Sequence, residues 1–503
     1  MNNEASTTRG RLVIVSNRLP VVFERGEEGL RTRPGSGGLV TALAPVLRDR
    51  GGIWIGWSGL PADEQEEVEH LLDGSSASAG YALRSVPLTA EELELYYYGF
   101  ANEILWPLFH DLQSHCNFDP AYWASYREVN RKFAQHIAEA VAEEDFIWVH
   151  DYHLMLTGAE LRERGLGNPL GFFLHIPFPP PDIFIKLPWR FNVLNALLDF
   201  DLLGFQTMRD KRNFVQCVRM LLPEIPVRAE GGFHVMQHHG RELRAGVFPI
   251  SIDVREFRRL AASDEVSESA WYIHEALPDR QIVLGVDRLD YTKGIPYRLE
   301  AFRMLLRRHP DMRGRITLVQ VVVPSRTDIP EYFDLKTKIE RLVGEINGEF
   351  TTSGWVPIHY LFRHLTRGEL LGYYRTAEIA LVTPIKDGMN LVAKEYITCN
   401  LEGNGVLILS EFAGAAAQLH RDALLVNPYD IEGTAEALHV AFMMDHDERR
   451  RRMRRMRANV RRYDIYRWVE SFLDAAASRH LHDFPMVSEY IPPYDTTELG
   501  VSI

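Results

Sequence analysis

Cysteine is scarce in this chain. Cys116, Cys217 and Cys399 are the three among 503 residues, odd in number and far apart. Their spacing excludes a disulfide framework and a thiolate zinc site, and it points to a reducing compartment. Long apolar runs are missing as well: none approaches the roughly 18 residues of a membrane-spanning helix. The first ten residues, MNNEASTTRG, are polar, so a cytoplasmic protein without membrane attachment is expected. Positive charge is in deficit too. A formal net charge of −13 argues against a general nucleic-acid binder, which would carry a basic excess or a concentrated basic face. Small molecules are the expected partners. No metal or cofactor is called for, since His150 and His153 lack a third ligand at a recognised spacing.

What is present is a globular composition, 46% hydrophobic, with length for two to three domains. Strand and helix signals alternate along the chain, as expected of an α/β fold. They are most compact in ALVTPIKDGMNLVAKEY, residues 380–396. The run Ile379 to Val382 is short, uncharged and apolar, as for a parallel strand covered on both faces. Pro384 stops it, Gly388 permits a tight turn or close backbone approach, and Asn390 can cap the helix LVAKEYITC. Free amides at that helix start favour an anion. Asp387 and Glu395 flank it, the second about two turns along, and both suit sugar or ribose hydroxyls. The competing reading makes Asp387 a helix cap and pairs Glu395 with a surface lysine.

In the amino-terminal half, a strand from Leu12 to Val15 delivers Ser16, Asn17 and Arg18 at its carboxyl end, where open α/β sheets bind ligands. Gly35, Gly37 and Gly38 lead into a helix, an arrangement that by itself serves a phosphate or a simple turn. The helical stretch TAEELELYYYGFANEILWPLFH carries Tyr97, Asn102 and Trp106 on an aromatic-rich surface, where core packing competes with sugar stacking. The strand Phe146 to Val149 ends on His150, Asp151, Tyr152 and His153, and GFFLHIPF ends on His175. Asp199 and Asp201 superficially resemble a phosphatase pair but lack its following residues, so they read as a helix–strand boundary. Near Val247 to Asp253 the strand–helix pattern restarts, which places a hinge there. Strand Ile282 to Val286 then offers Arg288 and Lys293, whose spacing suits a diphosphate; the alternative bridges them to Asp287 and Asp290. ITLVQVVVPSRTD is a buried strand tipped with Ser325 and Arg326. The basic run RRRRMRRMRANVRR has an apolar face at Met453, Met456 and Val460 and reads as a solvated or interdomain helix in preference to an RNA site. Residues 483–503 lack periodicity and are expected to be a loose tail.

In order, SNRLPV, GSGG, WIGWSG, YYYGFANEILWPLFH, WVHDYHL, FFLHIPFP, DRLDYTKG, PSR and DGMNLVAKEY closely resemble the trehalose-6-phosphate synthase family of retaining glycosyltransferases, from about Leu12 to Trp468. The resemblance implies the GT-B architecture: two Rossmann-like domains with parallel sheets facing across a cleft. They would span residues 1–248, for the acceptor, and 249–460, for the nucleotide sugar, with a helix over 461–482 returning to the first. It implies that Arg18, Tyr97, Trp106, Asp151 and Arg326 hold glucose 6-phosphate, the two arginines on its phosphate. Gly37 and Gly38 match the glycine loop near the donor phosphate, and Arg288 and Lys293 the diphosphate contacts. Asp387, Gly388, Met389, Asn390, Leu391 and Val392 match the donor glucose and phosphate cradle, and Glu395 the ribose carboxylate. Catalytic roles would fall to Arg288, Lys293, Asp387 and His175, the last beside the transferred glucose. Two departures stand out: Asp182 where the family more often has Glu, and a longer loop over Phe23 to Pro34. The rivals are a glucosylglycerol-phosphate synthase, disfavoured by the acceptor set, and a non-catalytic sugar-phosphate sensor, disfavoured by the intact donor residues. No length for a phosphatase domain remains after Trp468, so a bifunctional enzyme is not expected. Donor base and oligomeric state, homo-oligomers included, stay open.

Overall fold

The computed structural model describes residues 10–26, 29–35, 38–326 and 329–477. The chain divides into two compact units, one running to Asp253 and regaining the segment from Tyr463, the other spanning Val254–Arg462. No described helix is long and apolar enough to cross a membrane. The tail over 483–503 lies outside the described residues.

In the first unit the strands are β1 (Leu12–Arg18), β2 (Val21–Gly26), β3 (Gly29–Pro34), β4 (Gly52–Trp57), β5 (Ala82–Ser85), β6 (Phe146–His150), β7 (Leu170–Phe173), β8 (Leu202–Phe205), β9 (Val227–Glu230), β10 (Phe233–His238) and β11 (Arg241–Val247). Its main sheet runs β5-β4-β1-β6-β7-β8-β11-β10-β9, parallel as far as β11. β10 lies antiparallel to both of its neighbours. Strands β1 and β6 are buried almost end to end, which their continuous apolar sequences dictate for a sheet covered on both faces. β2 and β3 form a separate antiparallel hairpin where a long loop was expected. The reason is local: Phe23 and Leu30 are buried, and glycines pair across the turn end.

The chain's last described helix, Ile465–Ala477, closes this unit. Phe472 stacks on Trp148 with ring centroids 4.2 Å apart, and the Trp468 indole donates to the Phe248 carbonyl at 3.1 Å. Gly171 and Gly204 make room, since a Cβ at either would press on the Phe472 ring.

The second unit holds β12 (Gln281–Arg288), β13 (Ile316–Val323), β14 (Ile358–Phe362), β15 (Ile379–Val382), β16 (Val406–Ser410) and β17 (Leu424–Val426). They pair in parallel in the order β14-β13-β12-β15-β16-β17. This is the 3-2-1-4-5-6 order of a Rossmann fold, whose switch point falls between β12 and β15. The first unit repeats that order from β5 to β8, with its switch point between β1 and β6. Both units are therefore Rossmann-like, as the resemblance implies.

Arg298, on the helix Ile295–Arg308, braces the second switch point. Its guanidinium is buried and pairs with Asp287 of β12, donates to Gln320 of β13 at 3.1 Å, and donates to Thr383 beyond β15 at 3.0 Å. Asp287 is thus taken by Arg298 and is not a partner of Arg288 or Lys293, contrary to the alternative weighed from sequence. Breaking a buried pair from one side costs about 3–5 kcal/mol, because the other charge is left uncompensated. Arg298→Ala is accordingly expected to lower unfolding stability by about that amount in urea titration; a loss below about 1 kcal/mol, the range of an exposed pair, would refute the brace.

Candidate active site

At the second unit's switch point, β15 is followed by a loop in which Asp387 forms an isolated parallel bridge with Ala413. The Asp387 carbonyl accepts from Gly414 at 3.1 Å, and the Met389 carbonyl from Ala415 at 2.8 Å. Gly414 is the position that must be glycine here, since a Cβ would collide with the Gly388 carbonyl. The left-handed residue is Asn390 (φ 74°), where the sequence reading put conformational freedom at Gly388. Asn390 caps the helix Leu391–Cys399 by accepting from the Ala393 amide at 3.3 Å. The amides of Leu391 and Val392 open the helix, where an anion is favoured.

Lys293 meets this loop from the other side of the switch point. Its Nζ lies 2.6 Å from Asp387, whose carboxylate also accepts from the Asn390 amide nitrogen at 3.2 Å. Asp387 is therefore a partner of Lys293 and not the helix cap. Gly294, next in sequence, sits at φ 66° with no room for a Cβ against the Thr383 carbonyl. Arg288 is exposed at the tip of β12. Arg326 donates to the Tyr332 hydroxyl at 2.7 Å and lies 3.9 Å from Asp290. Burial alone would raise the Asp290 carboxyl, yet Arg326, Lys293 and Arg288 together hold it below its usual range. The three cations named from sequence thus act on one buried carboxylate. Three cations against the Asp290 and Asp387 carboxylates leave a net positive charge, which suits a diphosphate or sugar phosphate.

Glu395 accepts a hydrogen bond from the Tyr374 hydroxyl at 2.9 Å, and burial pushes its carboxyl up. It does not pair with a surface lysine. The residue that sequence reasoning missed is Lys394, 1% exposed, whose ammonium burial pushes down to about 7. Its position on a helix face turned inward is the only signal that could have marked it.

In the first unit, Arg18 ends β1 with its guanidinium 4.4 Å above the Trp57 ring. Trp57 neighbours Tyr97 at 6.4 Å between ring centroids, and Tyr97 stacks on His153 at 5.8 Å. Leu93–Leu105 winds as a π-helix, its last turn closed by the Trp106 amide on the Ala101 carbonyl. π-Helical turns cluster at functional sites. Asn102 and Trp106 are buried instead of lying on a surface; Tyr152 donates to the Asn102 side chain at 3.1 Å and packs beside Trp106 at 5.9 Å. Tyr96 is core and donates to Asn17 at 2.9 Å, while Tyr97 stays half-buried. Gly37 lies outside the described residues, and Gly38 begins the helix that ends at Arg50.

Asp151 follows β6 at φ 75° and accepts the His175 amide at 3.1 Å. Strained backbone of this kind concentrates at ligand sites. The His150 and His175 rings meet at 3.2 Å between Nδ1 and Nε2. Burial pushes His175 down to about 3, and burial with the His175 charge pushes His150 well down. Both imidazoles are neutral near pH 7. The unfolded chain binds these protons below about pH 6.5, the native chain only well below that, so their stabilisation is full above 6.5 and is lost as pH falls. The melting temperature should therefore drop between pH 7 and 5, and His175→Gln should flatten that drop; equal slopes for the two proteins would contradict the assignment.

The glycosyltransferase family 20 profile matches residues 10–478. A trehalose-6-phosphate synthase of Mycobacterium sp. (strain JLS) is 44% identical over 473 residues, 92% of this chain and 96% of the relative. The trehalose-6-phosphate protein from E. coli solved with UDP-2-fluoro glucose superposes with a TM-score of 0.83 at 37% identity, covering 93% of this chain and 99% of that one. A UDP-forming α,α-trehalose-phosphate synthase from Burkholderia xenovorans, solved with glucose 6-phosphate, gives 0.83 at 35% identity, covering 93% and 100%. The match runs through every strand and loop described above, and the chain belongs to glycosyltransferase family 20, the enzyme family of the trehalose-6-phosphate synthases.

Proposed function

We propose that this enzyme makes α,α-trehalose 6-phosphate, transferring glucose from UDP-glucose to the anomeric hydroxyl of glucose 6-phosphate with retention of configuration. The observation that carries the reading is the convergence of Arg288, Lys293 and Arg326 on Asp290, beside a helix start capped by Asn390. Arg288 and Lys293 take the donor diphosphate, where negative charge grows as the glycosidic bond breaks. Met389, Leu391 and Val392 present the loop backbone to its phosphates, with Gly37 and Gly38 as the glycine loop of the first unit. Asp387 orients Lys293 and reaches the donor glucose, and Glu395 binds a ribose hydroxyl. Arg18 and Arg326 hold the acceptor phosphate, while Tyr97, Trp106 and Asp151 bind its sugar. His175, held neutral, offers a hydrogen bond beside the transferred glucose. Retention follows departure and attack on the same face, with a leaving phosphate oxygen taking the acceptor's proton. No retaining-glycosidase carboxylate pair is invoked.

The relatives solved with a UDP-glucose analogue and with glucose 6-phosphate support the two substrates. The test is UDP release with glucose 6-phosphate against glycerol 3-phosphate, with the product identified by mass and anomeric NMR. Release specific to glucose 6-phosphate with an α,α product is expected. A preference for glycerol 3-phosphate moves the enzyme to the neighbouring activity, and binding without release makes it a sensor. Lys293→Ala should lower kcat by about 10²–10³, the loss typical of one preorganised charge, with an unchanged melting profile; near-normal turnover would remove Lys293 from the chemistry.

A further inference from the structure

A second concentration of cations lies away from these residues, on the second unit alone. The helix His446–Arg462 carries Arg450, Arg454, Arg457 and Arg461 at intervals of four, three and four, which puts them along one stripe. Together with Arg258 and Arg462 they line a cavity of about 770 Å³ that also touches Thr398 and Gly403. One carboxylate shares that lining, Glu402, and Arg375 engages it at 3.2 Å. Among the described residues, Arg258, Arg450, Arg454 and Arg461 have no carboxylate partner, although Arg451, Arg452 and Arg455 of the same helix all do. The pattern is selective: Arg451, Arg452 and Arg455 are matched by carboxylates, and Arg450, Arg454 and Arg461 beside the cavity are not.

Arg457 adds an independent observation. Its Nε donates to the Ile397 carbonyl at 3.1 Å, which fixes the side chain at the end of the Leu391–Cys399 helix. Its Nη2 is buried without an acceptor. A buried guanidinium nitrogen lacking an acceptor is costly, and so is a stripe of like charges at helical spacing. Burial and the nearby Arg258 both push Arg457 below the usual arginine range. Gly403, at φ 73°, faces the Arg457 guanidinium without a side chain to block it. The volume falls within the range of small-molecule sites, about 300–1,000 Å³, and exceeds the space a single phosphate would fill.

We propose that this arginine-lined cavity binds a compact anion carrying two or more phosphate groups, at a site separate from the donor and acceptor residues. Guanidinium forks match phosphate oxygens in pairs, and the stripe is long enough to engage successive phosphates. Because the cavity abuts the carboxyl end of the helix whose amino end holds the donor loop, occupancy is read most directly through stability and through KM for the nucleotide sugar.

Inorganic tripolyphosphate is the probe, added to the full chain saturated with UDP so that Arg288 and Lys293 are already occupied, at constant ionic strength. Wild type should bind it by calorimetry and melt at a higher temperature. Arg454→Ala with Arg461→Ala removes two exposed side chains and leaves Met453, Met456 and Val460 in the core, so the fold should persist. Its affinity for the probe should fall at least about tenfold, equivalent to about 1.4 kcal/mol, with turnover unchanged in the absence of probe. Undiminished binding by the double variant, or no binding by wild type, overturns the proposal. Binding of a single-stranded oligonucleotide without tripolyphosphate binding overturns it in favour of a nucleic-acid surface. Failure of the UDP-glucose reaction itself would leave this result intact, since UDP serves only to block the other site.

Discussion

The geometry at the second unit's switch point depends on one buried charge pair. Arg298 and Asp287 sit beneath the carboxyl edge of β12, and the same guanidinium reaches Gln320 and Thr383, so three strands are held at fixed spacing where the Rossmann order reverses. Gly285 lies beneath it, and a Cβ there would press on both Arg298 and Gln320. With that edge rigid, Lys293 and Asp387 meet at 2.6 Å across the switch point, and the Asp290 carboxylate stays ionised among three cations. A buried ion pair is weak evidence for stability, but its registry role is well founded when its donors tie several strands together.

Much of this was legible in the chain because the residues concerned are local. The strand Ile379–Val382, its stop and the Asn390 cap follow from β-branched residues, proline and a capping side chain within a dozen positions. Arg288, Lys293 and Arg326 were legible as cations at strand ends and in the loops that follow them. Their partners were not: Arg298 is one arginine in an amphipathic helix, and nothing in its neighbourhood distinguishes it from Arg303, which pairs at the surface with Glu349. Lys394 was invisible for the same reason. The π-wound Leu93–Leu105 packs Tyr96 and Phe100 against Tyr126 of the helix Pro120–Ala140, and sequence periodicity reported it only as helix.

Net charge says little about local fields. A net −13 excludes a general polyanion binder only if the charges are mixed, and here carboxylates pair with Arg451, Arg452 and Arg455 of His446–Arg462 while Arg450, Arg454 and Arg461 beside the cavity have none among the described residues. At the second unit's switch point Arg326, Lys293 and Arg288 all act on the buried Asp290, and Lys293 also pairs with Asp387. Local fields, not the total, decide what an acidic protein can bind.

The return of Ile465–Ala477 to the first unit imposes an order on biosynthesis. Trp148 and the glycines of β7 and β8 wait for Phe472, which is made only after the whole of Val254–Arg462 has been translated. At ~5–20 residues per second, those roughly 200 intervening residues leave Trp148 and the glycines of β7 and β8 without Phe472 for on the order of 10–40 s. During that interval Trp148 presents an aromatic face that the finished core hides.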